Sequence, residues 1–152
     1  MALVTRSLDA PIDAVFAAIV DPTTYPHWLV GARDIRAVDD DWPRPGSAFH
    51  HRVGLVGPLK IADLSKVVEI AAPELLSLEV RARPLGRGLA TFRLHEVPDR
   101  PGSCVVELDE VPLGLLAHLR PLLDPITAHR NRRSLEQLED LVLNGTSHRA
   151  PG

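Results

Sequence analysis

The chain has 152 residues, 45% hydrophobic and 24% charged, with a formal net charge of -3, a size and composition that support one folded domain and exclude a disordered one. Its single cysteine, Cys104, excludes an intrachain disulfide and a cysteine-based zinc site. The slight negative charge gives no electrostatic reason to expect nucleic acid, and no apolar run reaches the roughly 20 residues that would cross a bilayer.

The N-terminal M-A-L-V-T-R-S-L lacks the basic region and long apolar stretch of a signal peptide, so a cytoplasmic location is expected. Leu3 to Leu8 alternate apolar and polar and predict a half-buried strand. In the segment that follows, Pro11 suits a first helical turn, and Ile12, Val15, Phe16 and Ile19 recur at helical spacing. Asp21-Pro22 ends that helix, and Pro26 limits the next one to a short turn. Between them, D-P-T-T-Y-P-H-W-L carries the chain's only tyrosine and one of its two tryptophans.

Period two then dominates. Strands are expected at 33–38, 48–53, 61–70, 75–82, 89–96 and 104–111, separated by turn-rich breaks such as D-D-D-W-P-R-P-G and V-P-D-R-P-G-S. Such short connections imply antiparallel neighbours. G-L-L-A-H-L-R-P-L-L predicts a short helix with a break at Pro121. Asp124 and Pro125 then read as the cap and first turn of a long terminal helix, with Ala128, Asn131, Leu135, Leu138 and Val142 on one face and a stop at Asn144-Gly145. One domain over 1–145 and a mobile tail at 146–152 follow. Only Lys60 and Lys66 are lysines among the 17 basic residues, a bias that fits a GC-rich bacterial genome.

A long antiparallel sheet curls, and a single helix cannot fill its concave face, so a pocket is expected between them. The stretches S-L-D-A-P-I-D-A-V-F-A-A-I-V-D-P-T-T-Y-P-H-W and V-V-E-I-A-A-P-E-L-L-S-L-E-V resemble the SRPBCC or START-like superfamily, and the resemblance covers nearly the whole chain. It implies an α+β helix-grip fold: a curled seven-stranded antiparallel sheet around a long C-terminal helix, with two short helices between strands 1 and 2. It also implies a cavity for a mainly apolar small molecule. Members act as lipid or sterol carriers, hormone receptors, or polyketide cyclases and aromatases, so the fold alone does not choose between them.

Two function classes therefore stand. One is a carrier of a small hydrophobic or aromatic metabolite or lipid, with no metal or organic cofactor, no nucleic acid and no stable membrane insertion, as monomer or homodimer. The other is a cyclase, aromatase or dehydratase that moves protons with cavity side chains. Expected ligand-contacting positions are Tyr25, His27, Trp28, Phe49, His51, Phe92, Leu108, Glu110, Asn131 and Leu135.

His51 and Glu110 are the acid/base candidates among these. Strand phase places His51 inward with Phe49, while the adjacent His50 faces out, so the two cannot share one metal ion in regular geometry. Glu110 continues the apolar set Cys104, Val106 and Leu108; the plainer reading leaves it solvated or paired with an arginine. Asn131 interrupts an apolar stripe and needs a partner in ligand, water or strand. Trp28 reads most simply as a plug between the segment around it and the terminal helix, and Cys104 as a small core residue. Asp63 and Ser65 are expected in water, because the opposite-face set Ala62, Leu64, Lys66, Val68 and Ile70 is mostly apolar.

Overall fold

The computed structural model describes residues 2–29, 32–56, 59–82 and 86–149, with backbone alone for 2, 32–36, 51–56, 59–63, 82, 86, 115–116 and 145–149. Seven strands form one antiparallel sheet: β1 (Ala2–Leu8), β2 (Ala32–Val38), β3 (Ala48–Val56), β4 (Leu59–Ala71), β5 (Leu75–Ala82), β6 (Gly86–Glu96) and β7 (Cys104–Leu113). Their spatial order is β1-β7-β6-β5-β4-β3-β2. After β1, the helices α1 (Ile12–Val20) and α2 (Tyr25–Trp28), joined by a 3₁₀ turn at Pro22–Thr24, carry the chain to the far edge of the sheet. A run of hairpins then brings it back until β7 pairs with β1. A second 3₁₀ segment (Gly114–Leu119) leads into α3 (Arg120–Arg149), which packs on β1, β7, α1 and α2.

Alternate residues of each strand face α3. Read across the register, the inward rows are Arg6–Val106–Leu94, then Val4–Leu108–Phe92–Leu76, then Glu110–Ala90–Leu78–Val67, then Pro112–Gly88–Val80–Ser65–Phe49. Arg6 confirms the facing, because its guanidinium donates to Glu139 of α3 at 2.7 and 3.2 Å.

One end of this trough is sealed by aromatic rings. Tyr25 meets Trp28 and Phe49 edge-on at centroid distances of 5.4 and 5.2 Å, Trp28 meets Phe92 at 6.0 Å, and Trp42 meets Phe49 at 5.0 Å. Burying these rings is tolerable because their polar atoms find partners nearby. The Trp28 indole N–H donates to Thr24 Oγ1 at 3.0 Å, the Trp42 indole N–H to the Val20 carbonyl at 2.8 Å, and the Tyr25 hydroxyl to the Ile19 carbonyl. The two prolines thus turn the chain so that α2 closes the trough.

Several expectations change. Ser65 is not in water: it is 2% exposed and lies opposite Phe49 and Val80. A bulge between Val67 and Glu69 shifts the phase of β4, so Val68 is 51% exposed and Lys66 is exposed as well. Asp63 shares the Ser65 phase in the register, opposite His51 and Ala82; its side chain lies outside the described residues.

The terminal helix begins at Arg120, and Asp124-Pro125 lies inside it. Pro125 sits one turn in and forgoes only the bond to the Pro121 carbonyl, and Arg120 and Asp124 face each other across that turn at 3.9 Å. What was expected to be a short helix before it is 3₁₀ at Gly114–Leu119. Nor does Asn144-Gly145 end α3, whose backbone stays helical to Arg149. Asn144 donates its side-chain amide to Asp140 one turn back at 3.2 Å instead of capping, and one helical glycine costs only about 1 kcal/mol. Residues 150–152 of the expected tail lie outside the described residues.

Trp28→Ala is expected to lower unfolding free energy by about 3–5 kcal/mol, the range for removing a buried large ring, in urea titrations followed by Trp42 fluorescence. A loss under about 1 kcal/mol would mean that the ring is not a structural plug.

Candidate functional site

The site is the space between the inward rows of the sheet and the inward face of α3. Along that face the chemistry changes. Leu135 and Leu138 are fully buried, whereas the positions one, two and three turns nearer the N-terminus than Leu135 are Asn131, Thr127 and Asp124. The outer face shows the reverse trend: Leu122 is 71% exposed and Ile126 69%. In its first turns, then, α3 carries Asn131, Thr127 and Asp124 on the helical face of Leu135, beside Ala128, which packs on the core, while Leu122 and Ile126 are exposed.

Two ion pairs fix the level of the helix over the sheet. Glu139 is tied to Arg6, in the row of Val106 and Leu94, and Arg130 is tied to Glu110, in the row of Ala90 and Leu78. Nine residues of helix rise about 13.5 Å, close to the two inward steps of strand, about 13.6 Å, between those rows. Asn131, next to Arg130, therefore lies at the level of Ala90. This is the row where the sheet wall becomes small: Phe92 gives way to Ala90 and then to Gly88. A Cβ built on Gly88 would meet nothing nearer than the Val111 carbonyl oxygen, at 3.5 Å.

Asn131 is 2% exposed, and its amide nitrogen has no hydrogen-bond partner among the described residues. Most buried polar groups are paired, so an orphaned donor calls for an explanation. Ser134, one turn on and buried as well, donates its hydroxyl to the Arg130 carbonyl at 3.1 Å.

Of the residues singled out in the sequence, Trp28, Phe92, Leu108 and Leu135 are buried in one cluster with Tyr25 and Phe49. Burial, with a smaller contribution from the Asp21 carboxylate, pushes the Tyr25 phenol well above its ordinary range. His27 is exposed on the outside of α2. Glu110 lies inward at the end of the apolar set, paired with Arg130. The backbone of His51 is opposite Asp63, and its side chain lies outside the described residues; His50 is exposed.

Thr127 and Asp124 were missed because Asp124-Pro125 was read as a boundary. Extending the Asn131 face by four and seven residues toward the N-terminus finds both. A groove of about 290 Å³ runs between the β1 edge and α3, lined by Val4, Arg6 and Leu135 of the trough together with Thr5, Arg132 and Glu136. Its charged walls suit an apolar ligand poorly, and Asn131 is not among its lining residues.

Residues 1–142 match a family model described as polyketide cyclase / dehydrase and lipid transport. The chain belongs to this family. Solved structures agree on the fold. A Nitrosomonas europaea protein has a TM-score of 0.73 at 19% identity, with 95% of each chain covered. An Arthrobacter aurescens protein has a TM-score of 0.72 at 15% identity, covering 93% of this chain and 85% of that one. A Chromobacterium violaceum protein has a TM-score of 0.65 at 21% identity, covering 92% and 94%. At these identities the likeness shows the fold alone. A comparison with curated proteins gave no match. Among the described residues no helix is long and apolar enough to cross a membrane, and no group of three or more His, Cys, Asp or Glu could hold a metal ion.

Cys104 is buried in the family's trough, and burial raises its thiol pKa, which disfavours the reactive thiolate. It is expected to resist a thiol reagent such as DTNB in the native protein and to react at the rate of unfolding; fast native labelling would contradict its placement in the core.

Proposed function

We propose that the protein binds a small, mainly apolar molecule between the sheet and α3, with the sealed aromatic end as the floor. The observation that carries this reading is the taper of the inward wall from Phe92 through Ala90 to Gly88 beneath a helix face that turns polar. A glycine inside a strand marks a place where another group approaches closely, and a Cβ on Gly88 would make ordinary contact with the Val111 carbonyl oxygen and meet no other described atom within 4 Å. The family description, which includes lipid transport, supports the same reading. It carries with it a bacterial, cytoplasmic carrier without metal or organic cofactor, as monomer or homodimer.

Gly88→Leu should fill this space. Binding of the neutral fluorophore 1-aminoanthracene, seen as enhanced emission, is expected to weaken at least tenfold while thermal stability is kept or raised. Failure of the wild-type protein to bind the probe, together with a Gly88→Leu stability loss in the overpacking range of about 1–3 kcal/mol, would show the space to be filled.

The register pairing of His51 with Asp63 favours a second reading, an acid/base enzyme of the cyclase or dehydratase kind. Here a carboxylate opposite the imidazole would orient it and hold its proton. On a poly-β-keto substrate, His51→Ala should then lower turnover by orders of magnitude with binding largely kept. A carrier would show a changed affinity alone.

A further inference from the structure

We infer that the Asn131 amide N–H is a ligand-anchoring donor that selects an uncharged oxygen acceptor, a keto, ester or amide carbonyl, on an otherwise apolar ligand. The inference rests on the binding reading above and names the chemistry of its ligand.

Three observations lead to it. Asn131 is buried on the inward face of α3, yet its amide nitrogen has no partner among the described residues. An unmet buried donor destabilises a fold, so its presence is explained if a ligand supplies the acceptor. It stands level with Ala90, the small residue of its row on β6.

The third observation concerns charge. The arginines on either side of the trough are already neutralised, Arg130 by Glu110, Arg6 by Glu139 and Arg120 by Asp124. A carboxylate ligand would therefore enter an apolar space with a neutral amide donor and no free cation among these three, at a large desolvation cost. A neutral carbonyl avoids that cost. It also matches Asn131 in kind, because a primary amide nitrogen can only donate. A pure hydrocarbon would leave the donor unmet and gain nothing from it.

The test compares three probes of one size: 2-acetylnaphthalene, 2-ethylnaphthalene and 2-naphthoate. Binding is measured by calorimetry for the wild type and for Asn131→Leu, with Asn131→Ala as a second variant if the first does not fold. The wild type is expected to prefer the ketone to the hydrocarbon by about tenfold or more, the scale of one hydrogen bond that satisfies a buried donor, and to bind naphthoate weakest. Asn131→Leu should lose the preference while gaining thermal stability, since the unmet donor is gone. In 15N-labelled wild type, the Asn131 side-chain NH2 resonances, assigned by their absence in the variant, should move downfield with ketone and not with hydrocarbon.

Equal binding of ketone and hydrocarbon would overturn the inference and leave the cavity reading standing. So would a ketone preference that survives in Asn131→Leu. Tightest binding by naphthoate would overturn the neutral-ligand part. If 1-aminoanthracene binds and none of the three probes does, this inference fails alone; if nothing binds, both fail together.

Discussion

Leu135 and Leu138 hold α3 against the sheet, and everything else in the molecule depends on the fact that this apolar grip does not extend along the whole helix. Near them the concave wall offers Phe92, Leu108 and Val106, large enough to meet the helix directly. Two turns toward the helix start, the wall has shrunk to Ala90 and Gly88, and the helix presents Asn131 and Thr127. A seven-stranded antiparallel sheet curls too widely for one helix to fill. The fold resolves this by packing Leu135 and Leu138 tightly and setting polar helix residues over small wall residues farther along the trough.

The sealed half explains the aromatic residues. Prolines 22 and 26 turn the chain so that Tyr25 and Trp28 pack against Phe49 and Phe92, and each ring's polar atom is bonded to backbone or side chain within the same short segment. With those bonds satisfied locally, the rings need nothing from a ligand. They seal that end of the trough. The ion pairs Arg6–Glu139 and Arg130–Glu110 link helix to sheet on each side of this boundary and hold the two halves in register.

Much of this architecture was legible in the sequence, because period two and the turn residues are local signals. All seven strands, the short helices after β1 and the terminal helix were placed, though several strands run longer than their alternation shows. The bulge in β4 was not legible: nothing in K-V-V-E-I says which residue the sheet will skip, yet that one residue moves Ser65 from solvent to the core. The start of α3 was misplaced because Asp-Pro is equally a cap and an early turn. That error hid Asp124 and Thr127, the two polar residues that continue the Asn131 face. Asn131 and Glu110 were found because each breaks an apolar set, a signal that survives errors in element boundaries.

The central claim is that the space beneath the polar half of α3 holds a small molecule. Native mass spectrometry of the protein purified gently from its own host tests this most directly. The account predicts a species heavier than the chain by the mass of one small organic molecule, released on denaturation and absent from Gly88→Leu. A bare chain mass for the wild type, with a co-purified small molecule found in neither native nor extracted samples and no uptake of neutral apolar compounds on incubation, would contradict it.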